Sequence, residues 1–253
     1  MRQIFTALPY VEPAVPDDIA ALIRANGRAL ELKAGDILKM PGDLHHFYMV
    51  EEGVCGYFVA GAVFGHSRIL SLLPPQRTVA DLSVSTQRRC NIETRAVTAR
   101  VRAWACPARF FHDFIYSDPK RAEELYLLAV NKHESTVEGM VANFTLPPEQ
   151  RLKILLKRLI VDSLELPEAE TWLPVRWRLT AEIMGLVVNL TRSNVSRQLN
   201  LWREAGLTRK VGLDWEAHRA LFDDIYDWQT EFPAADGREV AKVIASLRAE
   251  TGE

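Results

Sequence analysis

The chain has 253 residues, of which 48% are apolar and 25% charged, with a formal net charge of −2. At roughly 100–200 residues per domain this length favours two domains, and the composition is that of a globular protein, not a disordered or fibrous one. The near-neutral total excludes a chain that is basic throughout but allows a local basic patch. No apolar run approaches the ~18–20 residues that span a bilayer. The start of the chain has too short an apolar stretch for a signal peptide. The expectation is a cytoplasmic protein with no membrane partner. Cys55, Cys90 and Cys106 are odd in number and lack C-x-x-C spacing, which points to reduced thiols and to neither a disulfide framework nor a zinc site.

In chain order, Asp17-Asp18 opens a short helix with Ile19, Leu22 and Ile23 on one face. Asn26-Gly27 predicts its end through a left-handed cap. From about residue 30 to 104 short apolar runs alternate with turn residues: 36–40, 47–50, 54–59 and 68–73, separated by segments such as Pro41-Gly42-Asp43 and Pro74-Pro75. This spacing predicts a small β-barrel or sandwich. Asp118-Pro119 reads as a helix start, with aspartate at the cap and proline in the first turn. The helical pattern then runs for about 28 residues, roughly 40 Å, to Pro147-Pro148. Leu125, Leu128 and Ala129, then Val137, Met140, Val141 and Phe144, read as one apolar seam against the barrel or a partner subunit. A further helix from Glu149 to about Ser163 and a strand over 175–179 follow.

Residues 180–208 carry the strongest functional pattern. A helix over about 180–188 contains Gly185; Asn189 follows at a sharp turn, and Thr191 caps a second helix. This is the pattern of a helix-turn-helix. Val195, Leu199 and Trp202 fall on the inward face of the second helix. Arg192, Ser193, Ser196, Arg197 and Asn200 fall on the outward face, a set of hydrogen-bond donors without a carboxylate. Arginine pairs with guanine, and serine and asparagine reach base edges or phosphates. Residues 176–210 carry seven positive and two negative side chains, net +5, whereas 214–253 carry ten acids and four bases, net −6.

With these elements in this order, the sequence resembles the cyclic-AMP receptor protein / fumarate-nitrate regulator (Crp/Fnr) family over about residues 30–210. Gly35, Ile37, Gly42-Asp43, Tyr48, Val50 and Gly53 resemble its N-terminal roll; residues 121–145 its central helix; Leu146-Pro147 its hinge; residues 180–207 its helix-turn-helix. The resemblance implies an α+β fold: an N-terminal double-stranded β-helix (a cyclic-nucleotide-binding-domain-like β-roll, residues 1–117), a long dimerisation helix (118–146), and a C-terminal winged helix-turn-helix (147–213). An extra helical acidic tail (214–253) follows. The wing is expected to be very short, over 209–213. The resemblance further implies a homodimer on double-stranded DNA with a palindromic operator, with RNA polymerase as a partner and no enzymatic activity. Arg192, Ser193 and Arg197 would be the base-reading positions.

The family's ligand motif departs here. Ala80-Asp81-Leu82 stands where cyclic-nucleotide binders carry Gly-Glu-Leu, and Arg88-Arg89-Cys90-Asn91 replaces the phosphate-binding segment. The expectation is therefore a small organic effector between barrel and helix, not a cyclic nucleotide, with Tyr57, Leu72, Asp81, Arg88, Arg89 and Thr136 as candidate lining residues and no metal. Alternatives are a DNA-binding dimer without an effector, a haem- or redox-sensing regulator using His45, His46 or a cysteine, and a cupin-type enzyme. The last lacks the histidine spacing for a metal.

Overall fold

The computed structural model describes residues 7–59, 68–161, 166–167, 169–212 and 214–225. The second half of the acidic tail, with the expected helical runs after residue 225, lies outside them, as do His66 and Leu213.

Helix α1 (Asp17–Asn26) starts with two aspartates in its first turn, where they meet the positive end of the helix dipole. Gly27 ends it in an extended conformation (φ −88°, ψ 161°), not in the left-handed cap expected from the sequence. The glycine is there for space. A Cβ at this position would lie 2.7 Å from the Ile23 carbonyl oxygen and 3.1 Å from the Cys106 sulfur.

The short apolar runs form strands β1 (Arg28–Lys33), β2 (Ile37–Lys39), β3 (His46–Glu52), β4 (Cys55–Val59), β5 (Ile69–Leu73), β6 (Thr78–Val79), β7 (Ile92–Ala96) and β8 (Arg100–Pro107). Helix α2 (Asp81–Thr86) lies between β6 and β7. The strands make two antiparallel four-stranded sheets, ordered β1-β8-β3-β6 and β2-β7-β4-β5. Phe47, Met49, Cys55, Leu73, Val79 and Val101 fill the core of this roll together with Ile19 and Ile23 of α1.

A helical turn, α3 (Ala108–Phe110), leads through a π-helical turn over 111–115 to the long helix α4 (Pro119–Thr145). The Asp118 carboxylate accepts from the backbone N–H groups of Lys120 and Arg121 and caps it, and Pro119 in the first turn has no N–H to satisfy. The helix has 27 residues, close to the expected length. Its apolar residues do not form one seam. Leu125, Leu128 and Ala142 are buried against the rest of the chain, together with Lys132, Ser135 and Glu138. Tyr126, Val130, His133, Met140 and Phe144 stand on the exposed side, Phe144 at 86% exposure. The two sets are offset by one or two positions and lie on different faces of a 3.6-residue helix.

Leu146 leaves α4 in an extended conformation, and Pro147-Pro148 starts helix α5 (Pro148–Ile160). Then come β9 (Trp172–Pro174), α6 (Ala181–Val188), α7 (Arg192–Glu204), β10 (Thr208–Val211) and β11 (Asp214–His218). The strand expected over 175–179 forms earlier, at 172–174. Beyond Pro174 the chain makes one bond to the Trp215 carbonyl and then turns to the Leu159 carbonyl of α5, so the alternation of Val175, Trp177 and Leu179 continues without a ladder. The wing is longer than expected. β10 and β11 pair as a hairpin reaching His218, and Leu221 and Phe222 beyond it are buried in the core of this unit. The boundary expected at 213/214 thus falls inside the hairpin. The first part of the acidic tail is paired: Asp224 holds the ammonium of the buried Lys153 at 2.8 Å.

A second apolar core joins the two halves. It runs from Tyr10, Val11 and Leu72 through Ala142 and Leu146 to Leu152, Val187, Val188 and Trp202. The segment before α1 straps across it. Leu72 donates to the Tyr10 carbonyl and Glu12 to the Leu72 carbonyl, so residues 10–12 extend the edge of β5. The Tyr10 hydroxyl donates to Asn143 Oδ1 on α4, and Asn143 Nδ2 donates to the Val187 carbonyl on α6. Arg151 bonds the carbonyls of Asn143 and Val188.

Gly185 sits where α6 meets the turn: a Cβ there would lie 2.6 Å from the Leu190 carbonyl oxygen. Gly185→Ala should therefore destabilise the protein despite the better helix propensity of alanine, by about 1–2 kcal/mol net of that gain. A thermal midpoint lowered by roughly 3–8 °C checks this.

Candidate functional site

The first candidate site is the outward face of α7. Thr180 and Thr191 cap the two helices through bonds from the N–H groups of Ile183 and Asn194, and Asn189 takes the left-handed conformation (φ 54°, ψ 49°) that the tight turn requires. Val195 and Trp202 are buried beneath α7, Leu199 is partly buried, and the indole N–H of Trp202 points to the Glu149 carboxylate. This packing fixes the rotation of the helix. Arg192, Ser193, Arg197 and Asn200 are exposed, and Ser196 is half-buried. Among the described residues no carboxylate pairs with Arg192 or Arg197, so both guanidinium groups are available to a ligand. Elsewhere on the surface of this unit two arginines are matched: Arg178 with Asp214, and Arg209 with Glu216 while also stacking 4.0 Å over Trp172.

The second candidate is a cavity of about 230 Å³ between the roll, the strap and α4. Of the residues expected from the sequence, Tyr57, Asp81 and Thr136 line it. Leu72 is instead buried in the second core, under the strap, and Arg88 and Arg89 are exposed on the stretch after α2 and do not line it. The structure adds Glu12, Lys39, Ser83, Cys90, Thr94 and Lys132. Lys132 could have been found from its position one turn before Thr136 on the same face of α4. Glu12, Lys39 and Thr94 come from distant segments and carry no such mark.

Inside the cavity Lys132 Nζ donates to Asp81 Oδ2 at 2.9 Å and to the Thr78 carbonyl and hydroxyl at 2.7 and 2.8 Å. This buried pair ties α4 to β6 and α2, and it leaves Asp81 engaged. Thr136 lies 3.3 Å from the Ser71 hydroxyl and 3.5 Å from Glu12 Oε1. Glu12 is 1% exposed, and its Oε2 has no partner among the described residues. Burial pushes its carboxyl up to about 7 against the opposing pull of Lys132. Burial likewise raises the Tyr57 phenol, whose hydroxyl donates to the Thr78 carbonyl. The Cys90 thiol goes the other way. Burial alone would raise it, but hydrogen bonds from Ser83 and the Ile92 backbone and the charge of Lys39 outweigh that and lower it. Cys55 and Cys106 are buried free thiols, which burial pushes up to about 12 and about 11. His45 and His46 are exposed, and among the described residues no group of three or more His, Cys, Asp or Glu side chains could hold a metal ion.

A β-roll joined by one long helix to a winged helix-turn-helix is the architecture of the Crp/Fnr fold. Comparison with solved structures places the chain in that fold. It superposes on FixK2 from Bradyrhizobium japonicum with a TM-score of 0.65 at 13% identity, covering 79% of this chain and 98% of FixK2. It matches the c-di-GMP responsive global regulator CLP of Xanthomonas campestris at 0.59 and 14% identity, over 79% and 97% of the two chains. A transcriptional regulator of the CRP/FNR family from Thermus thermophilus matches at 0.55 and 18% identity, over 75% and 93%. No protein-family model and no curated protein matches the sequence. Among the described residues no helix is long and apolar enough to cross a membrane.

The raised Glu12 carboxyl makes stability depend on pH. The folded state holds this proton more tightly than the unfolded chain, where the carboxyl titrates near its ordinary value of 4.5. Its contribution is full below that value and is lost as the pH rises through about 7. Between about pH 5 and pH 8 the melting temperature of the wild type should fall by several degrees relative to Glu12→Gln. Paired melts at the two pH values check this, and an unchanged gap would show that the carboxyl ionises freely.

Proposed function

We propose that this protein is a homodimeric, sequence-specific DNA-binding transcriptional regulator, controlled by a small organic effector in the cavity between the β-roll and α4. The observation that carries the reading is the α7 face. Two unpaired arginines, two serines and an asparagine are presented on a capped, rigidly packed helix with no carboxylate among them. Such a helix fits a major groove, with arginine reading guanine and the smaller donors reaching bases or phosphates. The Crp/Fnr fold supports the same assignment.

The exposed side of α4 supports the dimer. Tyr126, Val130, His133, Val137, Met140 and Phe144 follow one another at spacings of 4, 3, 4, 3 and 4, the heptad rule of a two-helix coiled coil. Two copies joined there would carry two recognition helices, with half-sites one turn of DNA apart, about 34–36 Å. An effector would act by favouring one arrangement of the reading heads over another, which requires it to bind the two with different affinity.

Selection of binding sites from random duplex DNA should return an inverted repeat. Arg192→Ala combined with Arg197→Ala should lower affinity for that site by about 30-fold or more in gel-shift titrations, since each bidentate guanine contact is worth about 1–3 kcal/mol. Unchanged affinity would remove α7 as the reading helix. Met140→Glu with Phe144→Glu should yield monomers in sedimentation velocity and abolish tight binding to the inverted repeat. Dimers that survive this change would place the interface elsewhere.

A further inference from the structure

The cavity between the roll and α4 holds a cation that no carboxylate among the described residues neutralises. Lys39 is 3% exposed and lines the cavity. Its ammonium donates to the Met40 carbonyl at 3.3 Å and to the Cys90 sulfur at 3.7 Å. Among the described residues no carboxylate lies within ion-pair distance of it. Lys132 differs, because Asp81 and Thr78 already occupy its donors. Directly opposite Lys39 on the neighbouring strand is Thr94, which lines the same cavity, is fully buried, and has a hydroxyl without a hydrogen-bond partner. Cross-strand neighbours point to the same face of a sheet, so the two side chains form a donor pair.

An ammonium buried without a counter-ion is strongly unfavourable, and so is an unpaired buried hydroxyl. One carboxylate satisfies both, with one oxygen for each donor. A phosphate is better matched by an arginine fork or a nest of backbone N–H groups, which carry more donors than this pair. The nearby Arg88 and Arg89 stand outside this cavity. The remaining walls include Leu70, Val79, Ile92 and Ala129. A cavity of about 150 Å³ takes a benzene ring. At about 230 Å³ this one has room for a ring or short chain with an acid group.

We infer that the cavity binds a small apolar carboxylate, a single ring or short aliphatic chain bearing one carboxyl group, with Lys39 and Thr94 holding the carboxylate. The inference rests on reading this cavity as the effector site. Of the carboxylates in the lining, Asp81 is neutralised by Lys132 and burial favours the uncharged form of Glu12, which leaves Lys39 facing only the Cys90 sulfur.

Cys90 supplies a test that does not require the natural ligand. Its sulfur touches the Lys39 ammonium and lines the cavity. Iodoacetate and iodoacetamide both lose iodide to an attacking thiolate, and they differ in carrying a carboxylate or a neutral amide. Both react with the thiolate, so the ratio of their rates cancels any change in its population. The rates at Cys90 are read by peptide mass spectrometry on the full chain, folded and in urea. The iodoacetate-to-iodoacetamide ratio should be at least tenfold higher in the folded chain than in urea. It should be kept in Lys39→Arg and lost in Lys39→Met; Thr94→Val, which preserves shape, should lower it by a smaller factor and serves if Lys39→Met does not fold. Millimolar benzoate should slow the alkylation and benzamide should not. A ratio unchanged by folding, or insensitive to both substitutions, overturns the inference. A raised ratio together with operator affinity that no carboxylate alters would keep the anion site and remove the effector reading.

Discussion

The long helix α4 has to satisfy two surfaces at once, and the rest of the molecule is arranged around that demand. One side must bury itself against the roll and the strap, and the other stands in solvent with large apolar side chains. The inner side is not simply apolar. It carries Lys132, Ser135 and Glu138, each buried and each needing partners. Lys132 finds them in β6 and α2, and Ser135 lies within hydrogen-bond distance of the Leu8 and Val11 carbonyls of the strap. Polar partners of this kind fix the position of the helix on the roll more sharply than apolar contact does, because a shift of one residue would strand each of them.

The same residues set the chemistry of the cavity. The Lys132–Asp81 pair engages Asp81, so the cavity's free polar capacity moves to Lys39, Thr94 and Glu12. The floor that was expected to carry arginines carries an ammonium and a hydroxyl instead. The cavity is also joined to the helix-turn-helix unit by a short route. Glu12 lines it, and Tyr10, two residues earlier, reaches Asn143, which in turn reaches α6. The buried Arg77 guanidinium holds the Glu12 carbonyl at 2.9 Å and faces the Trp177 ring, so the strap is anchored at both of its ends.

Much of the fold was legible in the sequence because its signals are local. Asp118-Pro119, Thr180, Asn189 and Thr191 are boundary residues whose chemistry acts within a turn or two, and the structure uses them as expected. The inward set Val195, Leu199 and Trp202 was readable for the same reason. What failed was non-local. Gly27 looked like a cap, but its role is to admit Cys106 from a strand some eighty residues away. The two faces of α4 read as a single seam because an offset of one or two positions between them is invisible until the inner face has a partner. The cavity was half legible: Tyr57, Asp81 and Thr136 came from the resemblance, while Lys39 and Thr94 meet only through the β2–β7 register.

The junction between the roll and the helix-turn-helix unit rests on backbone atoms. Asn143 and Arg151 grip α6 through the carbonyl oxygens of Val187 and Val188, which belong to the backbone and are the same for any residue at those positions. The grip therefore does not depend on the side chains of α6, and none of its hydrogen bonds touches α7. The exposed side chains of α7 can therefore change while these bonds stay as they are, provided that Val195 and Trp202 keep their places in the shared core.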